Sequence, residues 1–489
     1  MTTHSYVACD LGAESGRVML GTLSDGVLTL EEIHRFPTGG IAIAKSLRWD
    51  MLRIWDEIKT GLRKIAQMKI PVASISTDAW GVDVVYMHPN EPMLIQPFHY
   101  RDSRTDGGYE RVFAKVPAQE IFEETGIQFM LINSLYQLEA DQFRRPEVLK
   151  LATRFLMVGD FIHHLLCGSN QIDESNASTT QLFNPRTKQW SEGLIARLGL
   201  PRHLFPEVVP SGTVLGTLGA EIAAETGLSG TKVVTTCSHD TGAAVAGVPG
   251  EGAGWAFLSS GTWSLLGIES PTPIITEQSR KHNFTNEIGW GSSIRFLKNI
   301  VGLWVVQECR RSWAAQGMEF TYETLTEMAL AATPLASLIN PSDPRFGKPG
   351  DMPQKISDYC RETGQPVPVT QGEFVRATLE SLALSYRRTI EEIELVTGTT
   401  IERLHIVGGG TKNQLLTQFA ADATMRPVVA GPVEATAIGN VLMQAIALGQ
   451  LADLTALRRV VRASFPVTSH HPTNPALWDA AYHRFQKLP

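Results

Sequence analysis

The chain has 489 residues, of which 43% are hydrophobic and 19% charged, and its formal net charge is −7. This length exceeds one hydrophobic core and predicts two or three domains, while the negative balance argues against nucleic acid or an anionic membrane as the main partner. The five cysteines are widely separated without a C-x-x-C pair, so neither a zinc cluster nor a disulfide framework is indicated. With no basic-then-apolar leader and no apolar run of membrane-spanning length, we expect a soluble, cytoplasmic protein.

The first half of the chain predicts strands and helices in alternation. Residues 6–36 have the pattern of a three-stranded meander, and residues 51–67 that of an amphipathic helix. Residues 71–88 predict two strands around a break at Trp80 and Gly81, and residues 231–237 predict a short buried strand. The apolar stripe of the helix is expected at Trp55, Ile58, Leu62 and Ile65.

The second half repeats this plan. Residues 254–270 predict a strand, a tight glycine-containing turn and a strand, and a long helix is expected between a capping box at Thr370 and Glu373 and a stop at Gly398. Further on, the pattern predicts a strand with a Gly-rich turn (403–413), a helix (414–424), a last strand (427–432) and a small-residue-rich helix (434–449). Two α/β halves, each opening with a glycine-turned hairpin, imply an active cleft between them, with a boundary near residues 245–252.

The stretch Ser238-His239-Asp240 contains the three residue types of a hydrolase triad. Consecutive residues of an extended segment point to alternate faces, so these side chains cannot converge as a triad must. Ser238 also lacks the G-x-S-x-G elbow that exposes a hydrolase nucleophile. Two interpretations therefore remain. Asp240 is either a structural residue of a polar loop or a single functional carboxylate.

Three Gly-rich turns bear on that choice: DLGAESGR (10–17), SSGTWS (259–264) and GGGTKN (408–413). Glycine lets backbone N–H groups approach an anion, and nearby hydroxyl groups add donors. One such turn is more often a simple hairpin, but three of them, each after a strand and spread over two matching halves, indicate phosphate binding. None matches a Walker loop or a dinucleotide fingerprint.

Together, Asp10-Leu11-Gly12, the string SSGTWS, the triple glycine at 408–410 and His239-Asp240 resemble the FGGY family of carbohydrate kinases, over residues 5–465. The resemblance implies an α/β fold of two ribonuclease-H-like (actin-like ATPase) domains with an interdomain active-site cleft. It assigns residues 1–247 to a sugar-binding domain with the first phosphate loop and residues 248–489 to an ATP-binding domain. The last helix is a candidate to pack back on the first domain.

The resemblance also implies the ligands ATP, Mg²⁺ and a sugar, and it assigns roles to particular residues. Asp240 is the expected catalytic base, and Asp10 is expected near Mg²⁺ through water. The sugar contacts are Gly81, His239, Asp240 and Asn299. The ATP contacts are Ala13, Glu14, Ser15, Gly16, Arg17, Thr262, Gln307 and Gly409.

Two residues depart from the family pattern in the phosphate turns. Glu14 stands where a small hydroxyl residue is usual, and because a carboxylate would repel phosphate, we expect Glu14 to face solvent. Lys412 departs in the adenosine turn, where a solvated side chain is the simple interpretation.

Several other residues keep two interpretations. His239 can bind a sugar hydroxyl or cap its loop, and Trp80 can stack on the sugar or be buried. Asp83 and Asp102 can bind hydroxyl groups or pair with Arg101 and Arg104, and a structural ion pair is the default for the cluster RDSR at 101–104.

The strings STDAWGVD, CSHDTGAA and KNIVGLWVVQ are similar to those family members that phosphorylate L-rhamnulose. This implies ATP-dependent phosphorylation of its 1-hydroxyl, giving L-rhamnulose 1-phosphate and ADP in L-rhamnose catabolism. One alternative is another ketose, such as L-fuculose or a pentulose, decided by residues 80–83, 101–104 and Asn299. Another is a non-catalytic, actin-like nucleotide-binding sugar sensor, against which the intact Asp240 argues. The expected partners are small molecules, with assembly as a monomer or a homodimer.

Overall fold

The computed structural model describes residues 3–489, which mix helices and strands throughout and confirm the predicted α/β class. The chain divides into two compact units. The first comprises the chain up to Pro249 together with Glu269–Phe296 and Ala435–Phe465. The second comprises Gly250–Ile268, Leu297–Glu434 and Pro466–Pro489.

Up to Pro249, short strands and helices alternate. The strands are β1 (His4–Leu11), β2 (Ser15–Ser24), β3 (Val27–Pro37), β4 (Ile41–Ile43), β5 (Ser46–Arg48), β6 (Val72–Ala79), β7 (Val84–Met87), β8 (Arg154–Met157), β9 (Ile172–Asp173), β10 (Phe183–Asn184), β11 (Gln189–Trp190), β12 (Val208–Val209), β13 (Val214–Thr217) and β14 (Lys232–Val234). The helices are α1 (Met51–Gln67), α2 (Gly108–Phe113), α3 (Ala118–Thr125), α4 (Ser134–Arg144), α5 (Pro146–Leu151), α6 (Val158–Cys167), α7 (Glu174–Thr179), α8 (Glu192–Leu198), α9 (Ala220–Thr226) and α10 (Asp240–Ala246).

Beyond Pro249 the helices are longer. The strands are β15 (Trp255–Ser260), β16 (Trp263–Ser270), β17 (Thr285–Ile288), β18 (Ile294–Val301), β19 (Arg403–Val407), β20 (Val428–Ala430) and β21 (Thr468–His470). The helices are α11 (Glu277–Lys281), α12 (Trp304–Ala315), α13 (Tyr322–Ala331), α14 (Met352–Glu362), α15 (Gln371–Thr397), α16 (Gln414–Thr424), α17 (Ala435–Ala447), α18 (Leu454–Ser464) and α19 (Pro475–Phe485). Short 3₁₀ helices lie at Ser103–Thr105, Arg202–Leu204, Trp290–Ser292, Pro344–Gly347 and Gly409–Lys412.

The first unit is built on a sheet in the order β13-β14-β6-β1-β2-β3. The predicted meander is confirmed, since β1, β2 and β3 are antiparallel neighbours, while β6 runs parallel to both β1 and β14. The carboxyl ends of β1, β6 and β14 therefore meet at one edge of the sheet, where parallel α/β sheets place their ligands.

Helix α17 covers this sheet, and its small residues allow close packing, as the sequence predicts. A Cβ atom at Gly439 would collide with the carbonyl oxygen of Ala243 in α10, and one at Gly21 in β2 would collide with Val441. Polar side chains fix the helix as well, because Gln444 accepts a 2.6 Å hydrogen bond from Ser74.

The second unit contains the neighbouring strands β18-β16-β15-β19-β20-β21. β15 and β16 form an antiparallel hairpin, whereas β15, β19 and β20 are parallel neighbours. The turns that follow β15 and β19 consequently lie at the same edge. β18 begins in the first unit, where β17 is its neighbour, and ends in the second.

Some expectations need correction. The strand predicted as the last, β20, is followed by β21, which pairs with it. In α1 the buried stripe contains Ile54 beside Ile58, Leu62 and Ile65, because Trp55 turns away and is only half-buried. The last helix, α19, lies in the second unit, whereas α17 and α18 belong to the first.

Within residues 3–489, no helix is long and apolar enough to cross a membrane.

The long helix α15 begins and ends where the sequence predicts. Thr370 accepts a hydrogen bond from the Glu373 backbone N–H, the Glu373 carboxylate accepts one from the Thr370 N–H, and Gly398 adopts the left-handed conformation at the end. Most of the helix is buried, so its first turn anchors a large part of the second unit.

Replacing Thr370 with alanine is expected to destabilise the protein by about 1 kcal/mol, because the Glu373 N–H loses its partner. Urea unfolding followed by circular dichroism measures the change as a lower midpoint concentration. Thr370→Ser keeps the hydroxyl and serves as the control. Equal midpoints for the alanine and serine variants would contradict the assignment of the cap.

Candidate active site

Three carboxylates gather at the carboxyl edge of the first unit's sheet. Asp10 of β1 is 4% exposed, lies opposite Asp78 of β6, and forms an ion pair with Arg17 of β2. Burial, and then the neighbouring charges of Asp10 and Asp240, raise the pKa of Asp78 well above its usual value. A hydrogen bond of 2.6 Å from the Asn440 amide lowers the pKa of Asp78 and so offsets part of this rise. The edge thus gathers three carboxyl groups, of which Asp78 is driven towards its protonated form and Asp10 is paired with Arg17.

Asp240 begins α10. The strand predicted at 231–237 is shorter than expected, since β14 ends at Val234 and an irregular segment leads from there to Asp240. Its Oδ1 atom accepts hydrogen bonds from the Thr241 N–H (2.5 Å) and the Thr241 hydroxyl (3.1 Å). Desolvation by the surrounding protein raises the pKa of Asp240, while His239, Thr241 and Arg295 act against that rise. The side chain is still 30% exposed. A partly open carboxylate with a raised pKa has the properties of a general base.

The segment before Asp240 is held by buried polar groups, which explains the role of Ser238. This serine is fully buried, and its hydroxyl lies 2.9 Å from the Thr235 hydroxyl. Its backbone N–H donates to Asp173, and its carbonyl accepts a 2.9 Å hydrogen bond from the Ala79 N–H. Ser238 therefore ties the irregular segment between β14 and α10 to β6 and to Asp173, which gives it a structural part in place of a nucleophile's.

The structure brings His239 and Gly81 together beside Asp240. His239 Nε2 lies 3.4 Å from Asp240 Oδ1, and the imidazole is buried. A Cβ atom at Gly81 would stand 3.3 Å from His239 Cδ2 and 3.0 Å from the Thr179 hydroxyl. Gly81 thus packs closely against the imidazole, and a side chain there would press on His239 and Thr179.

Trp80 is part of a buried aromatic cluster. Its ring is 5% exposed and stacks on Trp49 with a centroid distance of 3.9 Å. Both indole N–H groups donate to Asp83, which also accepts a 2.8 Å hydrogen bond from Gln137. Burial raises the pKa of Asp83 to about 7 despite these hydrogen bonds. The contacts favour the buried interpretation of Trp80, with Asp83 as the acceptor at the centre of the cluster.

Val82, between these residues, has a φ of +66°. A β-branched residue is rarely found there, so the turn is strained. Its carbonyl oxygen is held by the hydroxyl of Ser134 at 2.5 Å and the amide of Gln137 at 3.2 Å. Such strain, kept in place by hydrogen bonds, is common at functional sites.

Residues of the string YRDSRT make contacts that hold the local structure together. Asp102 accepts hydrogen bonds from the backbone N–H groups of Leu47 (2.7 Å) and Arg104 (2.9 Å). The Arg104 side chain pairs with Asp141 at 3.1 Å, and both are buried. The contacts are structural, but the ion pair of Arg104 is with Asp141 and differs from the pair with Asp83 or Asp102 that the sequence suggests.

The first predicted phosphate turn joins β1 to β2. The Gly12 N–H donates to the Ser15 carbonyl at 3.1 Å, and the Thr38 hydroxyl donates to the Gly12 carbonyl at 2.5 Å. Glu14 is exposed, as expected, and Gly16 packs against the ring of Phe36. The tight turn places its backbone next to Asp10 and Arg17, and Ala13 and Ser15 are half-buried beside it.

The second unit brings its two Gly-rich turns into contact. The Thr262 carbonyl accepts hydrogen bonds from the N–H groups of Gly302 (3.2 Å) and Trp304 (3.1 Å), which fixes the turn after β15. Gly410, in the turn after β19, lies so close to Ser260 that any Cβ would collide with the serine hydroxyl. Gly409 and Lys412 are exposed. These two turns thus form one polar edge, as a shared phosphate site requires.

The remaining predicted site residues are Asn299 and Gln307. Asn299 lies near the end of β18, and Gln307 lies in the first turns of α12, where its backbone N–H donates to Leu303. Both side chains are half-buried. Their roles stay predictions, as do those of the other site residues.

Sequence reasoning missed several buried polar residues around Asp240: Asp78, Asp173, Glu287, Arg295 and Asn440. Two of them left a signal in the sequence. Arg295 interrupts an otherwise apolar run at the start of β18, and Asp78 stands one residue before the end of the buried strand β6. A charged residue in such a position needs a partner, and that need marks it as a candidate.

Comparison with known proteins agrees with this arrangement. Residues 5–247 match the N-terminal domain of the FGGY family of carbohydrate kinases, and residues 256–448 match its C-terminal domain. The chain is 42% identical over 482 residues to a rhamnulokinase of Bacteroides thetaiotaomicron, covering 99% of both chains. It is 41% identical to a rhamnulokinase of Pectobacterium atrosepticum (100% of this chain, 97% of the relative) and 39% identical to one of Bacillus subtilis (96% and 95%).

Solved structures share the fold at low sequence identity. A ligand-bound xylulose kinase from Lactobacillus acidophilus superposes with a TM-score of 0.80 at 16% identity, covering 99% of this chain and 97% of that one. A glycerol kinase from Plasmodium falciparum with ADP gives a TM-score of 0.78 at 15% identity, with the same coverage. The two-domain, mixed α/β fold is that of these sugar kinases. On the two domain matches and the full-length relatives, the chain belongs to the FGGY family of carbohydrate kinases.

Proposed function

We propose that this protein is an ATP-dependent kinase that phosphorylates the 1-hydroxyl of L-rhamnulose, giving L-rhamnulose 1-phosphate and ADP in L-rhamnose catabolism. The observation that carries the proposal is the agreement among relatives from distant bacteria. Proteins named rhamnulokinase match nearly the whole chain at 39–42% identity.

In this proposal Asp240 is the catalytic base. Phosphoryl transfer requires alignment, charge neutralisation and one group that accepts the proton of the attacking hydroxyl. Asp240 is partly open and has a raised pKa, so it can take that proton from the sugar's primary hydroxyl. His239, which lies next to it, and Gly81, which packs against His239, would bind the sugar together with Asn299.

ATP is assigned to the Gly-rich turns. In the first unit, the backbone of Ala13, Glu14, Ser15 and Gly16 and the side chain of Arg17 would bind phosphate oxygens. In the second unit, Thr262, Gln307 and Gly409 would do so. The contact between the turns after β15 and β19, made possible by Gly410, supports a joint site there. We assign the sugar to the domain of residues 1–247 and ATP to that of residues 248–489.

Asp10 would hold Mg²⁺ through water. Within residues 3–489 no group of three or more His, Cys, Asp or Glu side chains is arranged to hold a metal ion directly. A cation here would therefore keep its own waters, as a hard cation such as Mg²⁺ does, and would meet Asp10 through one of them. When bound, Mg²⁺ neutralises charge on the phosphate groups. Arg17, in its ion pair with Asp10, holds that carboxylate at the strand end. We propose a cytoplasmic location, which fits the use of ATP and the five free cysteines.

A coupled ADP-release assay with purified protein tests the proposal. The panel comprises L-rhamnulose, L-fuculose and several pentuloses, each with and without Mg²⁺. We expect the highest kcat/KM for L-rhamnulose, and turnover only with Mg²⁺. A higher kcat/KM for another ketose would replace the proposed substrate. ADP release at the water background with every sugar would overturn the kinase activity and favour the non-catalytic sensor.

A further inference from the structure

We propose that Arg295 is a positioning residue that sets the tautomer of His239, so that His239 presents an N–H donor to the sugar and to Asp240. The inference rests on the proposed function, in which His239 and Asp240 contact the sugar. It concerns a residue of β18 that lies 56 positions from His239 in the sequence.

Arg295 is completely buried at the start of β18, and its guanidinium group is fixed on three sides. One Nη atom lies 3.0 Å from the Glu287 carboxylate of β17. The other Nη atom donates to the carbonyl oxygen of Ile288 at 3.1 Å and lies 3.1 Å from His239 Nδ1. A buried guanidinium with this many partners has little freedom to reorient.

The chemistry of arginine decides the direction of the bond to His239. A guanidinium carries only N–H donors, so the Nδ1 atom that faces Arg295 must accept. A neutral imidazole has a single N–H, which is then on Nε2. His239 therefore has a donor on the side that faces Asp240.

Glu287 favours the opposite tautomer of His239, with the proton on Nδ1. Its carboxylate lies 3.4 Å from His239 Nδ1, and on its own it would draw a proton to that nitrogen. Arg295 stands closer to Nδ1 and is paired with the same carboxylate, so it both occupies Nδ1 and neutralises Glu287. The charged or titratable side chains that face the imidazole from the elements packed around it are Asp240 of α10, Glu287 of β17 and Arg295 of β18.

The choice of tautomer matters for the reaction. Nε2 is 3.4 Å from Asp240 Oδ1, and Gly81 packs against the neighbouring Cδ2 of the same ring. An N–H there donates to a sugar oxygen or to the carboxylate. The other tautomer would place a lone pair beside Asp240, where it would compete for the proton of the attacking hydroxyl.

Nitrogen-15 NMR of protein labelled at the histidine rings reads the tautomer without any substrate. The His239 signals are those lost in His239→Gln, among the 13 histidines of the chain. We expect the Nε2–H form in the wild type and a shift towards Nδ1–H or the doubly protonated ring in Arg295→Gln. Removing the opposing carboxylate as well, in Arg295→Gln/Glu287→Gln, is expected to reverse part of that shift. Arg376→Gln, which also removes a buried arginine from its glutamate, is the control and leaves the His239 signals unchanged.

The variants that shift the tautomer are expected to affect the kinetics as well. Arg295→Gln is expected to lower kcat/KM for the sugar by about 10-fold, the effect of one hydrogen bond to a charged group. The KM for ATP stays unchanged, and Arg295→Lys, which keeps a cationic donor, recovers part of the loss. If Arg295→Gln does not fold, Arg295→Lys and Glu287→Gln carry the test, since both retain a donor at Nδ1 and are expected to keep Nε2–H.

An Nδ1–H signal from wild-type His239 would overturn the inference, and so would an unchanged tautomer in Arg295→Gln or an Nδ1–H form in Glu287→Gln. The proposed function fails separately, if no ketose is phosphorylated by the wild type. The tautomer is measured without sugar or ATP, so the two failures can be told apart.

Discussion

Asp240→Asn is expected to lower kcat for sugar phosphorylation by about 10²–10⁴-fold, the contribution typical of a general base. Asparagine keeps the shape of the side chain but cannot accept the proton of the attacking hydroxyl. ATP binding is expected to persist, because the Gly-rich turns are unchanged. The ADP-release assay measures the rate, and isothermal titration calorimetry measures ATP binding.

The matched control is Asp25→Asn in the exposed turn between β2 and β3. Asp25 has a φ of +50°, a conformation that asparagine tolerates well, so the same chemical change should leave the rate as it is. Near-normal turnover in Asp240→Asn would show that the base lies elsewhere. A loss of ATP binding together with activity would indicate a damaged fold.

Asp10→Asn is expected to reduce activity by about 10–100-fold and to raise the Mg²⁺ concentration needed for half-maximal rate. The change removes the carboxylate proposed to hold the metal's water, and it also breaks the ion pair with Arg17. Titrating Mg²⁺ at saturating ATP and sugar separates a metal effect from a general loss of rate.

Glu32→Gln provides the control for Asp10→Asn. It breaks an arginine ion pair with Arg35 on the same sheet, but at an exposed position where such pairs contribute little. Its Mg²⁺ titration should coincide with that of the wild type. An Asp10→Asn protein with an unchanged Mg²⁺ requirement would remove Asp10 from the metal site.

Local features of the fold were predictable from the sequence because their causes are local. The capping box at Thr370 and the stop at Gly398 lie within a turn of the helix ends that they fix. The exposure of Glu14 followed from the charge that a phosphate would repel. One local expectation was wrong: alternation along an extended segment would separate the His239 and Asp240 side chains, but His239 Nε2 lies 3.4 Å from Asp240 Oδ1 because Asp240 already begins helix α10.

Long-range contacts account for what the sequence could not predict. The hydrogen bond between Asn440 and Asp78 joins residues 362 positions apart, and no local pattern marks such a pair. Arg295 meets His239 only because β18 and α10 pack together in the folded chain. For Trp80 the sequence left two interpretations, and the stacking on Trp49 and the bond to Asp83 could be read only from the structure.

Phosphorus-31 NMR of a reaction with ATP, Mg²⁺ and L-rhamnulose tests the central claim most directly. A phosphate ester at a CH₂ carbon couples to two protons, so transfer to the 1-hydroxyl predicts a new triplet that grows as ADP appears. The wild type should give this triplet, and Asp240→Asn should give none above the uncatalysed background. A doublet, which marks an ester at a secondary hydroxyl, or inorganic phosphate as the only product, would contradict the account.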